Sequence, residues 1–279
     1  MLAERESWYE GAGGARLFCR HYPTAGPSRA ALISLHGLGD HSGLYPMVGE
    51  ALAPRGITVS LPDLRGNGRS PGPRGHVDSW DQLQEDLEAL VRRTRSELPD
   101  VPLFLLGNSL GGLVVLEYAI RRPAGLRGVI ALAAPLGSLG VPTPLLALGR
   151  VLSRVWPRFS LETGMDLSGL SRDPASVAHV LADPLFHRRG TARLSTEVTA
   201  AIARVQDAAP TFPLPVLLVH GGADRMVSPD GSRRFAARVG HPDATLLEIP
   251  GAYHALLADL DQERVLGAIG DWIEERAVR

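Results

Sequence analysis

The sequence predicts an α/β fold in which a mostly parallel sheet of eight strands carries helices on both faces. Three observations lead to this prediction. Short apolar runs recur along the chain, segments with helical spacing lie between them, and one long segment interrupts the alternation. Strands that are buried on both faces read as continuous apolar runs, and regular strand–helix alternation is typical of a doubly wound sheet.

Six runs have the composition of buried strands, because they are rich in leucine and β-branched residues and end near Gly, Pro or Asp. They cover residues 31–35, 57–61, 103–106, 128–132, 216–219 and 245–249. Two further strands, at 7–10 and 16–22, flank Gly11-Ala-Gly-Gly14, which is typical of a β-hairpin. We therefore expect the sheet to begin with an antiparallel pair.

The clearest helical pattern covers residues 79–98. Ser79 and Gln82 have the spacing of a capping box, and an apolar stripe follows them at helical spacing. That stripe consists of Leu83, Leu87, Leu90 and Val91. Further helices are predicted at 110–121, at 230–239, where Gly240 ends the pattern, and at 261–276.

The strand–helix alternation stops between residues 135 and 209. This segment carries prolines at 142, 144, 157, 174 and 184, and its pattern predicts short helices and loops. We therefore interpret 1–134 and 210–279 as two parts of one α/β core, and 135–209 as a cap inserted over the sheet edge. Its apolar, arginine-containing stretch 141–158 is interpreted as a helix packed on the core, as an amphipathic face that touches lipid surfaces, or as both.

Composition excludes several classes of function. The chain has 279 residues and a formal net charge of −1, so it lacks the basic excess that nucleic-acid binding requires. Its single cysteine, Cys19, excludes an internal disulfide framework and is interpreted as a packing residue of a strand. No His, Asp or Glu cluster has metal-ligand spacing, and no glycine-rich loop carries a phosphate-binding lysine.

The N-terminal residues MLAERESWYEG lack the apolar core of a signal peptide. No apolar run along the chain has the length of a membrane span. We therefore expect a cytoplasmic protein, whose contact with membranes, if any, is peripheral and transient and runs through the cap.

Three side chains that suit nucleophilic catalysis follow three different predicted strands. Ser109 lies in Gly107-Asn-Ser-Leu-Gly111 after one strand, Asp224 follows the next-to-last strand, and His254 follows the last. The carboxyl ends of parallel strands meet at one sheet edge. Serine alone is a weak nucleophile, so a histidine must take its proton and a carboxylate must orient that histidine. The alternatives are an ordinary turn serine, a loop-capping aspartate and a structural histidine.

Backbone N–H groups near this serine are candidates for an oxyanion hole. The N–H of Leu110 lies at the start of a predicted helix, where an anion is stabilised. The glycine-rich loop after the strand at 31–35 can turn the N–H of Leu38 toward the same point.

Four other polar residues beside these strands are given structural roles. His36 and His220 lie at strand ends and are expected to support the fold. Asp63 and Arg65 are interpreted as a salt-bridged turn that shapes the pocket floor, and a direct catalytic role is the alternative.

Six sequence blocks, in order, resemble those of α/β-hydrolases, and within that superfamily those of the monoacylglycerol lipase and lysophospholipase group. They are HGLGDHSGLY (36–45), DLRGNGRSPGPRGHV (63–77), GNSLGG (107–112), SRDPASVAHVLADPL (171–185), LVHGGADRMVSP (218–229) and PGAYHALL (250–257). The resemblance spans nearly the whole chain. It implies a Ser109–Asp224–His254 triad, an oxyanion hole from Leu38 and Leu110, a mobile apolar cap that admits an acyl chain, and no cofactor.

The sequence differs from the usual motifs of this family at four positions. Asp40 stands where GEHS has its glutamate, Leu44 where an arginine is frequent, and Asn108 where a histidine often precedes the nucleophile. Asn67 replaces the histidine of RGHG. The resemblance places Asp40, Leu44 and Asn108 near the alcohol end of the substrate, so they bear on recognition of glycerol.

The resulting hypothesis is a serine esterase that cleaves single-chain acyl esters through an acyl-enzyme, with monoacylglycerol as the leading substrate. A lysophospholipase and a carboxylesterase for small esters are the alternative enzymes. The alternative outside enzymes is a catalytically silent, hydrolase-like protein that binds ligands. The expected partner is a small lipid ester, nucleic acid is not expected, and the oligomeric state is left open.

Overall fold

The computed structural model describes residues 4–138, 143–162, 164 and 166–278. Its strands are β1 (Arg5–Glu10), β2 (Arg16–Tyr22), β3 (Ala30–Leu35), β4 (Ile57–Pro62), β5 (Leu103–Asn108), β6 (Leu126–Leu132), β7 (Ser160–Glu162), β8 (Arg189–Thr191), β9 (Val216–Gly221) and β10 (Ala244–Ile249). Eight of them form one sheet in the order β1-β2-β4-β3-β5-β6-β9-β10. β2 pairs antiparallel with both β1 and β4, and every other pair in this sheet is parallel. The predicted fold class is confirmed.

Helices cover both faces of the sheet. They are α1 (Pro46–Leu52), α2 (Trp80–Glu97), α3 (Leu110–Arg121), α4 (Thr143–Val155), α5 (Pro174–Ala182), α6 (Ala192–Ala208), α7 (Asp230–Ala236) and α8 (Gln262–Ala277). Apolar residues of α2, α3 and α6 pack on one face, and those of α1 and α8 pack on the other. Helices on both faces explain why the parallel strands are apolar throughout.

Alternate residues of each central strand enter opposite halves of the core, as the period of two requires. In β3, Ile33 and Leu35 join the half under α2 and α3, whereas Leu32 joins the half under α1 and α8. In β5, Leu105 and Phe104 divide in the same way. Each such side chain contributes about 1.5–3 kcal/mol through burial, so the sheet is a firm base for the loops at its carboxyl edge.

The start of α2 differs from the predicted capping box. Ser79 is the N-cap residue, but its side chain makes no capping hydrogen bond. Gln82 instead bonds to Asp78, accepting from its backbone N–H at 3.0 Å and donating to its carboxylate at 3.1 Å. The helix therefore begins at the predicted place through a different pair of residues.

The segment 135–209 holds α4, α5, α6 and the antiparallel pair of β7 and β8. The expectation of short helices and loops is wrong for α6, which has 17 residues. Ala201 and Val205 of α6 are buried in the same core half as α3. Arg204 of α6 also forms a two-pronged ion pair with Glu117 of α3, at 2.7 and 3.1 Å. The end of the segment is thus fastened to the core.

No helix within residues 4–138, 143–162, 164 and 166–278 combines the length and the apolarity needed to cross a bilayer.

Candidate active site

Ser109 occupies the turn between β5 and α3 with a backbone φ of 51°. Residues other than glycine seldom adopt such a φ. The turn is tight, because a Cβ on Gly107 would lie 2.1 Å from the carbonyl oxygen of Gly111. A Cβ on Gly111 would lie 2.6 Å from the carbonyl oxygens of Leu35 and His36. Only glycines at both positions let the chain reverse here and carry Ser109 beyond the end of its strand.

Two hydrogen bonds link Ser109, His254 and Asp224. His254 Nδ1 lies 2.7 Å from Asp224 Oδ2, and His254 Nε2 lies 3.1 Å from Ser109 Oγ. An ionised carboxylate can only accept, so Nδ1 carries the ring proton and Nε2 is left to accept the hydroxyl proton of Ser109. The three side chains come from the turns after β5, β9 and β10, as the sequence predicts.

Asp224 is held in its ionised form by its surroundings. Its Oδ1 accepts from the backbone N–H groups of Met226 and Val227, at 2.8 and 2.9 Å. Burial acts to raise the pKa of Asp224, but hydrogen bonds from His220 and His254 outweigh burial and hold this pKa well below its ordinary value. An anionic Asp224 favours the positively charged form of His254 that proton transfer from serine creates.

His220 is a second histidine in contact with this acid, at the same carboxylate oxygen that His254 contacts. Its Nδ1 lies 2.8 Å from Ser232 Oγ, and its Nε2 lies 3.0 Å from the carbonyl oxygen of Val227 and 3.2 Å from Asp224 Oδ2. Because the carbonyl and carboxylate oxygens can only accept, Nε2 carries the proton. The protonated edge of this fully buried ring therefore faces both the carboxylate and the loop that carries it.

We call residues 37–40 the oxyanion loop, after the donor predicted at Leu38, and this loop runs directly beside Ser109. A Cβ on Gly37 would lie 3.3 Å from the Cβ of Ser109. His36 accepts from the backbone N–H of Leu64 through Nε2 at 2.9 Å, so its Nδ1 donates to the carbonyl of Gly37 at 2.7 Å. In a trans peptide the N–H of Leu38 points away from that carbonyl. His36 therefore fixes the direction of the Leu38 N–H.

Leu110, the other predicted donor, is the first residue of α3. The partial positive charge of a helix N-terminus lies at this end of α3. The structure thus places both residues of the predicted oxyanion hole, Leu38 and Leu110, next to the predicted nucleophile.

A pocket lies over Ser109, and its walls are mainly apolar. Its lining consists of Gly37, Leu38, Asp40, Leu44, Tyr45, Asn108, Ser109, Leu167, Leu170, Val180, Phe186, Met226, His254, Ala255, Leu257 and Ala258. Leu167, Leu170, Val180 and Phe186 come from the segment 135–209. One wall of the pocket is therefore built by the inserted segment and the rest by loops at the sheet edge.

A polar chain of Asn108, Tyr45 and Asp40 forms another part of the pocket lining. The Tyr45 hydroxyl donates to Asp40 Oδ2 at 2.6 Å and accepts from Asn108 Nδ2 at 2.9 Å. Burial and the charge of Asp40 raise the pKa of Tyr45 far above its ordinary value, so the hydroxyl keeps its proton. Asn108 Oδ1 is buried with no hydrogen-bond partner among the described residues. Leu44 lies in the same lining.

The loop that carries His254 is tied to the segment 135–209. The Asp259 carboxylate accepts from the backbone N–H of Tyr253, next to the histidine, at 2.9 Å. Both oxygens of this fully buried carboxylate also accept from Nε of Arg172, at 3.1 and 3.0 Å. Arg172 thus connects the inserted segment to the residue beside His254.

Comparison with known proteins identifies the family of this chain. A model of the family described as serine aminopeptidase, S33 (Hydrolase_4) matches residues 26–261. The chain belongs to this family. The monoacylglycerol lipase of Mycolicibacterium smegmatis is 31% identical to it, over 96% of this chain and 96% of that protein.

Two solved structures extend the comparison for this S33-family chain. The monoacylglycerol lipase of Paleococcus ferrophilus has a TM-score of 0.86 and 36% identity, covering 93% of this chain and 99% of that one. A soluble variant of the monoglyceride lipase from Saccharomyces cerevisiae, in complex with a substrate analog, has a TM-score of 0.87 and 25% identity. This match covers 96% of this chain and 94% of that one. The predicted α/β-hydrolase resemblance and the predicted serine ester hydrolase are confirmed.

One interpretation of the sequence is wrong in this S33-family chain. Asp63 and Arg65 do not form a salt-bridged turn. Arg65 pairs with Asp86 of α2 at 2.7 Å, while Asp63 accepts at 2.7 Å from the backbone N–H groups of Ser42 and Arg69. Arg65 therefore ties the loop after β4 to α2, and Asp63 orders the turns beside the oxyanion loop.

Sequence reasoning missed three contacts around the site: that of His220 with Asp224, that of Arg172 with Asp259, and that of His187 with Asn67. The first two had a signal in the quoted blocks, because His220 precedes Asp224 by four residues and Arg172 lies in SRDP. His187 and Asn67 are 120 positions apart, and no local pattern joins them.

Proposed function

We propose that this protein hydrolyses monoacylglycerols, single-chain acyl esters of a small neutral polyol, through an acyl-enzyme on Ser109. The observation that carries the proposal is the hydrogen-bonded series Ser109–His254–Asp224 in the lining of a mainly apolar pocket. The monoacylglycerol lipases named above, which align over nearly the whole chain, support the same substrate class.

In the proposed reaction Ser109 Oγ attacks the ester carbonyl carbon while His254 Nε2 takes the hydroxyl proton. The N–H groups of Leu38 and Leu110 bind the oxyanion of the tetrahedral intermediate. When the intermediate collapses, the C–O bond to the alcohol breaks, and His254 gives its proton to the departing oxygen. Water then attacks the acyl-enzyme with the same proton transfers in reverse, and Asp224 orients His254 in every step.

The alcohol end is proposed to lie at Asp40, Tyr45 and Asn108, with Leu44 beside them. The Tyr45 hydroxyl donates to Asp40, so Asn108 donates to that hydroxyl through Nδ2. Asn108 Oδ1 is buried, so the carboxylate of Asp40 is the acceptor that this end of the pocket presents to the hydroxyl groups of a polyol. No lysine or arginine occurs among the described lining residues, so a phosphate would meet a carboxylate with no cation to offset it.

The segment 135–209 is proposed to act as a cap that shapes the acyl pocket and meets the lipid surface. On α4 and just after it, Leu148, Val151 and Trp156 are exposed by 52%, 55% and 61%. Leu145 and Val155 extend the same exposed apolar stripe, and Arg150 and Arg154 lie on the same helix. Apolar side chains bordered by arginines suit the boundary between lipid headgroups and acyl chains, so we propose peripheral contact there. Residues 141–142 of the predicted stretch lie outside the described residues.

The test measures hydrolysis of four substrates by the wild type and by Ser109→Ala: a monoacylglycerol, a p-nitrophenyl ester, lysophosphatidylcholine and an amino-acid p-nitroanilide. We expect the wild type to prefer the monoacylglycerol and Ser109→Ala to lose about 10⁶ in kcat. A fluorophosphonate should label the wild type and not the variant. Ser195→Ala, on α6 and outside the pocket lining, is the matched control and should behave as the wild type does.

Two outcomes would contradict the proposal. Ester hydrolysis near the wild-type rate in Ser109→Ala would remove the assigned nucleophile. A higher kcat/KM for lysophosphatidylcholine or for the p-nitroanilide than for the monoacylglycerol would remove the assigned substrate.

A further inference from the structure

The oxyanion loop is held at one end by the core and at the other end by the inserted segment. At the core end, His36 Nδ1 donates to the carbonyl of Gly37. At the other end, the backbone N–H of His187 donates to the carbonyl of Gly39 at 3.1 Å. The Gly37–Leu38 and Gly39–Asp40 peptide groups are thus bonded to two different parts of the chain.

The fit between Gly39 and His187 is close. Gly39 has a φ of +80°, and a Cβ on it would lie 1.8 Å from the carbonyl oxygen of His187. Only glycine can both adopt this φ without strain and leave room for that carbonyl. The loop is therefore shaped to receive this part of the segment 135–209.

The side chain of His187 fastens that contact to the core. Its Nδ1 accepts from the backbone N–H of Arg189 at 3.2 Å, so Nε2 carries the ring proton and donates to Asn67 Oδ1 at 2.9 Å. The Nδ2 of Asn67 donates to the carbonyl of Arg65 at 3.0 Å, which turns Oδ1 toward the histidine. Burial and the charge of Arg74 lower the pKa of His187 to about 4, so the ring is neutral at pH 7.

A second contact lies next to the first. His41 follows the oxyanion loop directly, and its Nε2 lies 3.1 Å from the carboxylate of Asp183. Between Asp183 and His187, Phe186 lines the pocket over Ser109. The same short stretch therefore contacts the pocket on one side and the oxyanion loop on the other.

We propose that His187 is a positioning residue for the oxyanion hole. Through its hydrogen bond to Asn67, it keeps its own backbone N–H on Gly39 and so holds the N–H of Leu38 at the oxyanion. This inference rests on the proposed function, because it assumes that Leu38 binds the oxyanion. It assigns to the inserted segment a role in the chemical step in addition to covering the substrate.

The experiment removes the hydrogen bond from each side with Asn67→Leu and His187→Phe. The readouts are kcat and KM on a p-nitrophenyl ester and the rate constant of inactivation by a fluorophosphonate, whose phosphoryl oxygen needs the same donors. We expect kcat and the inactivation rate to fall together by about 10-fold, less than the roughly 10²–10³ that loss of a whole donor costs. KM should stay within about twofold, because transition-state binding is what is lost.

Two further variants test the cause. Asn67→Asp keeps an acceptor for His187 Nε2 but loses the donor to the carbonyl of Arg65, so it should retain more activity than Asn67→Leu and less than the wild type. His241→Phe is the matched control, since Nδ1 of this histidine also accepts from the backbone N–H two residues on, at 3.1 Å to Asp243, but His241 lies before the amino end of β10, opposite the strand end that His254 follows. It should leave both rates unchanged. The double variant Asn67→Leu/His187→Phe should be no slower than the slower single variant.

Two outcomes would overturn the positioning role. One is that both Asn67→Leu and His187→Phe lower Tm but leave kcat and the inactivation rate unchanged. The other is that the losses of the two single variants add in the double variant. Fluorophosphonate inactivation needs no particular substrate, so it separates this inference from the proposed function. Rapid labelling of a wild type that does not hydrolyse monoacylglycerol would refute the proposed substrate. Equal labelling rates in wild type and Asn67→Leu would refute the role of His187.

Discussion

Two regions face each other across the pocket: the loops at the carboxyl edge of the sheet, and the segment 135–209. The loops hold Asp224 and His254 buried and hydrogen-bonded to each other, and Gly39 leaves no space for a side chain. The segment 135–209 exposes apolar side chains of α4, while its α6 is buried against the core and polar contacts such as that of Arg172 with Asp259 join it to the loops. The difference teaches that the loops bury the groups proposed to react, while the exposed apolar surface lies on one helix of the segment.

The largest effect should come from breaking the core side of this comparison at Asp224. We expect Asp224→Asn to lower kcat by about 10⁴, because an amide would donate to His254 Nδ1 and leave the ring in the wrong tautomer. KM should change little. Steady-state kinetics on a p-nitrophenyl ester check this, and a loss below tenfold would show that Asp224 is not the orienting acid.

A smaller effect is expected one contact farther from the nucleophile. His220→Phe removes the N–H edge that faces Asp224, and hydrogen bonds to charged groups contribute roughly 1.5–3 kcal/mol, so kcat should fall by about 10- to 100-fold. Ser232→Ala leaves that edge in place and frees only Nδ1, so its loss should be smaller. If Ser232→Ala proves as slow as His220→Phe, the contact with Asp224 is not the cause.

A substitution of Arg172 breaks the contact between the segment 135–209 and the loop that carries His254. Arg172→Met leaves the buried Asp259 without its cation, and we expect the free energy of unfolding to fall by about 1–3 kcal/mol. Arg233→Met is the control, because Arg233 also pairs with two carboxylates, those of Glu248 and Asp230, but at the surface. It should cost less than about 1 kcal/mol. Urea unfolding of both variants decides the matter, and equal losses would contradict the proposed difference between the two sites.

The smallest effect on the chemistry should come from the exposed face of α4. Leu148→Glu should leave kcat and KM on a soluble p-nitrophenyl ester unchanged and should weaken hydrolysis of monoacylglycerol held in vesicles severalfold, because a carboxylate disfavours insertion among acyl chains. Val278→Glu, at an exposed valine near the C-terminus, is the control. Equal vesicle activity in wild type and Leu148→Glu would show that α4 does not meet the lipid.

Most of the core could be predicted from sequence, because its signals are local. Each central strand is a short apolar run that ends at a glycine, proline or polar residue, and Ser109 lies between glycines that permit only one kind of turn. Asp224 and His254 follow strands, so the topology alone brings them to the same edge as the serine.

What escaped prediction depends on pairings between distant elements. Arg65 pairs with Asp86 of α2, although Asp63 is closer in the sequence. The carboxylate of Asp63 instead accepts from backbone N–H groups, such as that of Ser42. His187 contacts Asn67 only because the segment 135–209 packs on the core. Such partners follow from tertiary packing, which a single sequence does not encode in its spacing.

The backbone conformation of Ser109 lowers folding stability, although the proposed reaction depends on this serine. Holding a residue with a side chain at a φ of 51° costs about 1–3 kcal/mol, and glycine would adopt the same turn with little strain. The variant Ser109→Gly would then keep the turn between β5 and α3, lose the proposed nucleophile and unfold at a higher temperature. Thermal stability alone would favour glycine at this position, whereas the proposed reaction requires the serine hydroxyl.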